Sequence, residues 1–83
     1  MSNKNYVEIT NSLSKNLGEL KKLIPNVGAG FSSLASAATA DGALDKKTKE
    51  LIALAIGVIK QCDGCIGFHA KALVGLDATR EEV

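Results

Sequence analysis

Apolar residues recur every three or four positions through the first part of the chain, at Tyr6, Ile9, Leu13, Leu17, Leu20 and Ile24. That spacing is the stripe of an amphipathic helix over 6–24, and it stops before Pro25, which cannot continue a helix. The polar side of this segment carries Lys15, Glu19, Lys21 and Lys22, a solvated face. Residues 1–5 are polar and are expected to fray. A second helix is expected over 26–40, capped by Asn26, with Val27, Phe31, Leu34, Ala35 and Ala38 on its apolar side. Its many Ala and Ser residues permit close helix contact, while Gly28 and Gly30 weaken its first turn. Asp41 and Gly42 supply a turn, and Asp45 is placed to cap a third helix over 45–60.

The pattern changes in that third helix. Leu51, Ile52, Leu54, Ala55, Ile56, Val58 and Ile59 leave no polar face, so the helix must be covered on several sides. Two other short helices cannot do this, and subunit association is expected to finish the burial. The chain must turn near Gln61, because one continuous helix would leave Glu50 roughly 18 Å along the axis from Cys62. Folded back as a hairpin, Glu50 and His69 approach the same cavity. A fourth helix over 63–74 is expected to terminate at Gly75. Thr79 and Glu82 form a capping-box pattern that opens a further helix, and the sequence stops there. With no strand pattern, repeat or low-complexity tract, the expectation is all-α: one small helical domain, 1–83, lacking a C-terminal helix.

Composition narrows the function. A chain of 83 residues buries only about 60% of its unfolded surface, so stability needs help from association. A net charge of +1 and an aromatic content of 4% give no reason to expect nucleic acid or an anionic membrane as partner. The first ten residues, MSNKNYVEIT, contain no apolar core of a signal peptide, and the longest apolar run, 51–59, falls far short of the roughly 20 residues a membrane span needs. A soluble cytoplasmic protein is expected. Its two cysteines stand three positions apart, too close to staple distant elements, which leaves redox chemistry or metal binding.

The chemistry concentrates between Glu50 and His69. A helix starting at the C-x-x-C pair places Cys62, Cys65 and the lone histidine, His69, on one face, so a thiol pair shares its surface with a base. Three readings compete at this point. The cysteines can be small core residues, they can join His69 and Glu50 around zinc, or they can be a redox pair. A structural zinc site usually brings two paired motifs and only one is present, while C-x-x-C-x-x-x-H is not the C-x-x-C-H haem attachment pattern. Glu50 alone also reads as a first-turn carboxylate facing solvent.

The full pattern E-x11-C-x-x-C-x-x-x-H, with GALDKKTKELIALAI before it and HAKALVGL after it, resembles the AhpD-like thiol peroxidases of the carboxymuconolactone decarboxylase family. The resemblance covers about the C-terminal half of the chain. It implies a hydroperoxide substrate, an external dithiol reductant of lipoyl or thioredoxin-like type, a homo-oligomer (trimer or hexamer) and no cofactor. It also implies catalytic roles for Cys65, Cys62, His69 and Glu50. His69 would accept the Cys65 proton, the thiolate would attack the peroxide, Cys62 would resolve the sulfenic acid, and Glu50 would orient His69 or exchange protons with it. Helix N-terminus, imidazolium and C-x-x-C geometry all favour a Cys65 thiolate, whereas the charge of Asp63 opposes it unless helix capping turns it away. Some members carry histidine directly before the second cysteine, where this chain has Gly64. The alternative within the same fold is a lactone decarboxylase, or a non-catalytic member that merely retains the cysteines.

Overall fold

The computed structural model describes residues 4–83. Four helices follow one another, α1 (Tyr6–Leu23), α2 (Pro25–Thr39), α3 (Lys46–Ile59) and α4 (Asp63–Gly75), with no strand among the described residues. The all-α expectation therefore holds, and its helix bounds are met to within a residue or so at each end.

The junctions follow from local chemistry. Asn5 caps α1, its side chain accepting from the Glu8 N–H at 3.1 Å. The expected fraying of residues 1–5 is thus replaced at Asn5 by a cap and at Lys4 by an ion pair with Asp63, while residues 1–3 lie outside the described residues. Ile24 leaves the helical region, as a residue before proline tends to, and α2 restarts at once with Pro25 in its first turn. Asn26 accordingly does not cap α2. Proline already supplies a helical φ and has no N–H to satisfy, so the start lies one residue earlier and carries no side-chain cap. Two carboxylates start α3: Asp41 accepts from the Lys46 N–H and Asp45 from the Thr48 N–H, each at 2.7 Å.

Both ends of the α3–α4 hairpin close by the same device. At the end of α3 the Cys62 N–H donates to the Gly57 carbonyl and the Gln61 N–H to the Val58 carbonyl, with Gln61 in the left-handed region at φ 55°. At the end of α4 the Ala78 N–H reaches the Leu73 carbonyl and the Asp77 N–H that of Val74, with Asp77 at φ 57°. These paired bonds are Schellman motifs. Gly75 lies inside the last helical turn and does not end α4; the left-handed residue that does is Asp77. Beyond it, Thr79 and Glu82 form the reciprocal capping box, with N···O distances of 2.8 and 3.1 Å.

Packing centres on α4, which lies against α3 on one side and α1 on another, while α2 leans on α1 and barely reaches α3. Leu73 is the one buried large hydrophobic side chain among the described residues. The apolar side expected for α2 faces outward instead, with Val27, Phe31 and Leu34 all exposed and Gly28 its one buried position, against Lys21. The outer stripe of α3, formed by Ile52, Ile56 and Ile59, is likewise uncovered. The radius of gyration is 13.8 Å, against about 12 Å for a compact chain of this length. Among the described residues no helix is long and apolar enough to cross a membrane.

Candidate active site

Cys62 holds three positions in the hairpin at once. Its backbone N–H closes the Schellman motif of α3, its side chain caps α4 by accepting from the Cys65 N–H at 3.3 Å, and its sulfur is bonded to that of Cys65. An N-cap residue needs extended backbone, which Cys62 has at φ −95° and ψ 101°. The Cα atoms of the pair are 5.2 Å apart, so the disulfide spans the first turn of α4 within ordinary disulfide reach. The left-handed Gln61 reverses the chain immediately before it, at the place where the sequence required a turn.

The disulfide faces α3. A side chain on Gly57 would bring its Cβ to 3.1 Å from the Cβ of Cys65, so glycine lets the two helices close at the level of the sulfurs. Two turns earlier on the same side of α3 stands Glu50, and one turn after Cys65 on α4 stands His69. Their side chains meet, with Glu50 Oε2 2.6 Å from His69 Nδ1. Because a carboxylate can only accept, Nδ1 carries the shared hydrogen, and in the neutral ring Nε2 is the acceptor nitrogen. Glu50 is 5% exposed, which rules out a solvent-facing first-turn carboxylate; His69 is half-buried. A buried carboxylate requires a partner, and the histidine is that partner.

Asp63 does not cap α4, a task the Cys62 sulfur performs. Its carboxylate points the other way, to Lys4 Nζ at 2.8 Å. Gly64 and Gly67 are where α1 crosses α4. A Cβ on Gly64 would lie 2.9 Å from Leu13 Cδ1, and one on Gly67 would lie 2.6 Å from Thr10 Cγ2. Any side chain at position 64 would have to displace Leu13, a packing reason for glycine directly before the second cysteine. Thr10 is buried, its hydroxyl donating to the Val7 carbonyl at 3.0 Å; it stands on the face of the apolar stripe, four positions after Tyr6 and three before Leu13, but as a polar residue it was passed over in the sequence. Among the described residues no group of three or more His, Cys, Asp or Glu side chains is arranged to hold a metal ion.

All four residues singled out in the sequence, Glu50, Cys62, Cys65 and His69, therefore lie along the α3–α4 seam, joined two by two. The chain belongs to the carboxymuconolactone decarboxylase family, whose model matches residues 25–83 and so takes in α2, the hairpin and all four of these residues. It superposes with a TM-score of 0.88 on the apo crystal structure of a carboxymuconolactone decarboxylase family protein from Legionella pneumophila, at 60% sequence identity over 93% of this chain and 69% of that one. It is 41% identical over 66 residues to an uncharacterised protein of Haemophilus influenzae, covering 80% of this chain and 58% of that protein. It is 40% identical over 67 residues to the uncharacterised protein 4 of the cox locus of Paracoccus denitrificans, covering 81% of this chain and 60% of that protein. The chain thus spans about three-fifths of the length of these curated relatives.

Proposed function

We propose that this protein is a thiol-dependent peroxidase, or more broadly a disulfide oxidoreductase, that reduces hydroperoxides in antioxidant defence. The observation that carries the reading is a disulfide across the first turn of α4 on the same seam as a histidine held by a buried carboxylate. Together they supply a two-electron redox couple and a route for protons.

In the reduced protein His69 Nε2 takes the proton of the Cys65 thiol. The thiolate attacks the distal peroxide oxygen, the O–O bond breaks, and the alkoxide leaves as alcohol after taking a proton back from the imidazolium. Cys65 is then a sulfenic acid. The Cys62 thiol attacks its sulfur, expelling water and forming the Cys62–Cys65 disulfide, the state of the pair in this structure. An external dithiol, of lipoyl or thioredoxin-like type, restores both thiols by exchange and leaves as its own disulfide. Glu50 holds the Nδ1–H tautomer of His69 throughout and stabilises the imidazolium when it forms.

The working unit in this proposal is a homo-oligomer of one-domain subunits, a trimer or hexamer, acting in the cytoplasm. Support for association comes from the uncovered faces of α2 and α3, since α2 carries Phe31 and Leu34 outward and no charged residue anywhere along its length. The test of the activity is direct. Purified protein supplied with dihydrolipoamide is expected to consume tert-butyl hydroperoxide catalytically. Folded, fully reduced protein that leaves the peroxide untouched would defeat the reading.

A further inference from the structure

Asp63 stands between the two cysteines in the first turn of α4, where an ionised carboxylate opposes the formation of a thiolate beside it. Its place on the helix decides how strongly. At about 100° per residue, Asp63, Gly64 and Gly67 share the side of α4 that meets Leu13 and Thr10 of α1. Cys65 and His69 share the side that meets Gly57 and Glu50 of α3. Ahead of α1, Lys4 closes on Asp63 with Nζ 2.8 Å from Oδ1.

Building on the thiol chemistry proposed above, we propose that Lys4 is a positioning residue for the cysteine pair: it draws the Asp63 carboxylate to the α1 side of α4 and offsets its charge. The helix N-terminus and His69 then act on the sulfurs with less opposition. Lys4 is suited to the task because its hydrogen bond with Asp63, and after it the charge of Asp63, raise its ammonium above the ordinary 10.5, so it stays cationic across the working range. Other charged groups stand near the pair, and Lys60 lies two positions before Cys62 at the C-cap of α3. Glu8 lines the same open groove of about 640 Å³ as Lys4 and Asp63. From α3, Glu50 faces the pair but is engaged by His69. Lys4 also lies ahead of the span 25–83 that matches the family, so family membership by itself does not bring this contact.

Both partners are partly exposed, with side-chain accessibilities of 45% and 37%, so water screens the effect and it is modest: about half a pH unit on the thiol midpoint. The test is the rate of iodoacetamide alkylation of the reduced full chain as a function of pH, with circular dichroism on each variant. Lys4→Ala is expected to raise the midpoint by about half a unit, which makes alkylation about threefold slower below it. Lys4→Arg should match the native protein, Asp63→Asn should lower the midpoint, and the double variant should return near the native value. In 1 M salt, where the screening length is about 3 Å, the Lys4→Ala difference should shrink. An unchanged midpoint in folded Lys4→Ala, or a rise that Asp63→Asn does not reverse, would overturn the proposal. Alkylation involves no peroxide, so either result leaves the peroxidase reading standing; a protein with the expected shifts but no peroxide turnover would sink that reading and leave this one intact.

Discussion

Glu50 Oε2 and His69 Nδ1 meet at 2.6 Å across the α3–α4 hairpin, nineteen positions apart in the chain. The contact exists because the left-handed Gln61 reverses the chain and because Gly57 lets the helices close beside Cys65. The contact engages one imidazole nitrogen and leaves the other without a share in it.

Replacing Glu50 by Gln keeps the shape and removes the charge that supports an imidazolium. The expected outcome is a fall of about tenfold or more in the rate of peroxide reduction, within the range that positioned acid–base groups contribute, with little change in helicity. Peroxide consumption at saturating dithiol measures it. A native rate in Glu50→Gln would remove the carboxylate from the proton route.

The crossing of α1 and α4 offers a packing test. Alanine at position 67 would place its Cβ 2.6 Å from Thr10 Cγ2, a stiff β-branched methyl in a buried side chain. Alanine gains about 1 kcal/mol in helix propensity over glycine, but overpacking costs about 1–3 kcal/mol, so Gly67→Ala should destabilise on balance. Thr10→Ser removes the clashing methyl and should recover much of the loss in the double variant. Urea unfolding of the four proteins gives the coupling; additive effects would show that the two positions do not press on each other.

The apolar spacing that defined α1 was legible because each residue of the stripe faces one way, and the caps at Asp45 and the Thr79–Glu82 box were legible because their chemistry is local. The hairpin was legible too, since a seam holding both Glu50 and His69 demands a turn near Gln61. What the pattern did not carry is which face each helix buries. Val27, Phe31 and Leu34 mark an apolar side of α2 correctly, but nothing among the described residues covers it. Thr10 was invisible for the opposite reason: a polar residue is buried there because Gly67 opposite it has no side chain. The cap of α4 was missed because cysteine is not a usual N-cap residue, and here the constraint of the disulfide places its sulfur over the Cys65 N–H. Asp63 could not be aimed from sequence, because its partner Lys4 lies 59 positions away.

Acid should loosen the start of α3. The Thr48 side chain and then its backbone N–H hold the Asp45 carboxyl below its ordinary 3.8, so the folded value lies under the unfolded one. That contribution is present above about pH 4 and is lost as pH falls through the folded value. Glu82, held below its ordinary 4.5 by the Thr79 N–H and then by Lys47, behaves the same way beyond α4. Thermal midpoints measured from pH 6 to pH 2.5 should fall more steeply for the native protein than for Asp45→Asn. Parallel curves would show that the cap does not titrate with folding.

The uncovered faces of α2 and α3 predict association. Light scattering at micromolar concentration should give a multiple of the 8.6 kDa chain mass, and Phe31→Glu or Ile59→Glu should shift it toward the single chain. A stable folded monomer of the native protein would contradict this.

The thiol assignment is the centre of the account, and dimedone trapping after one equivalent of peroxide tests it most directly. Cys65 lies one helical turn from His69, while Cys62 sits at the N-cap, seven positions away. The Cys62→Ser variant should therefore react once and stall as a sulfenic acid on Cys65, seen by mass spectrometry as a dimedone adduct on that residue, while Cys65→Ser should not react. A dimedone adduct on Cys62 in Cys65→Ser, with Cys62→Ser inert, would contradict the account.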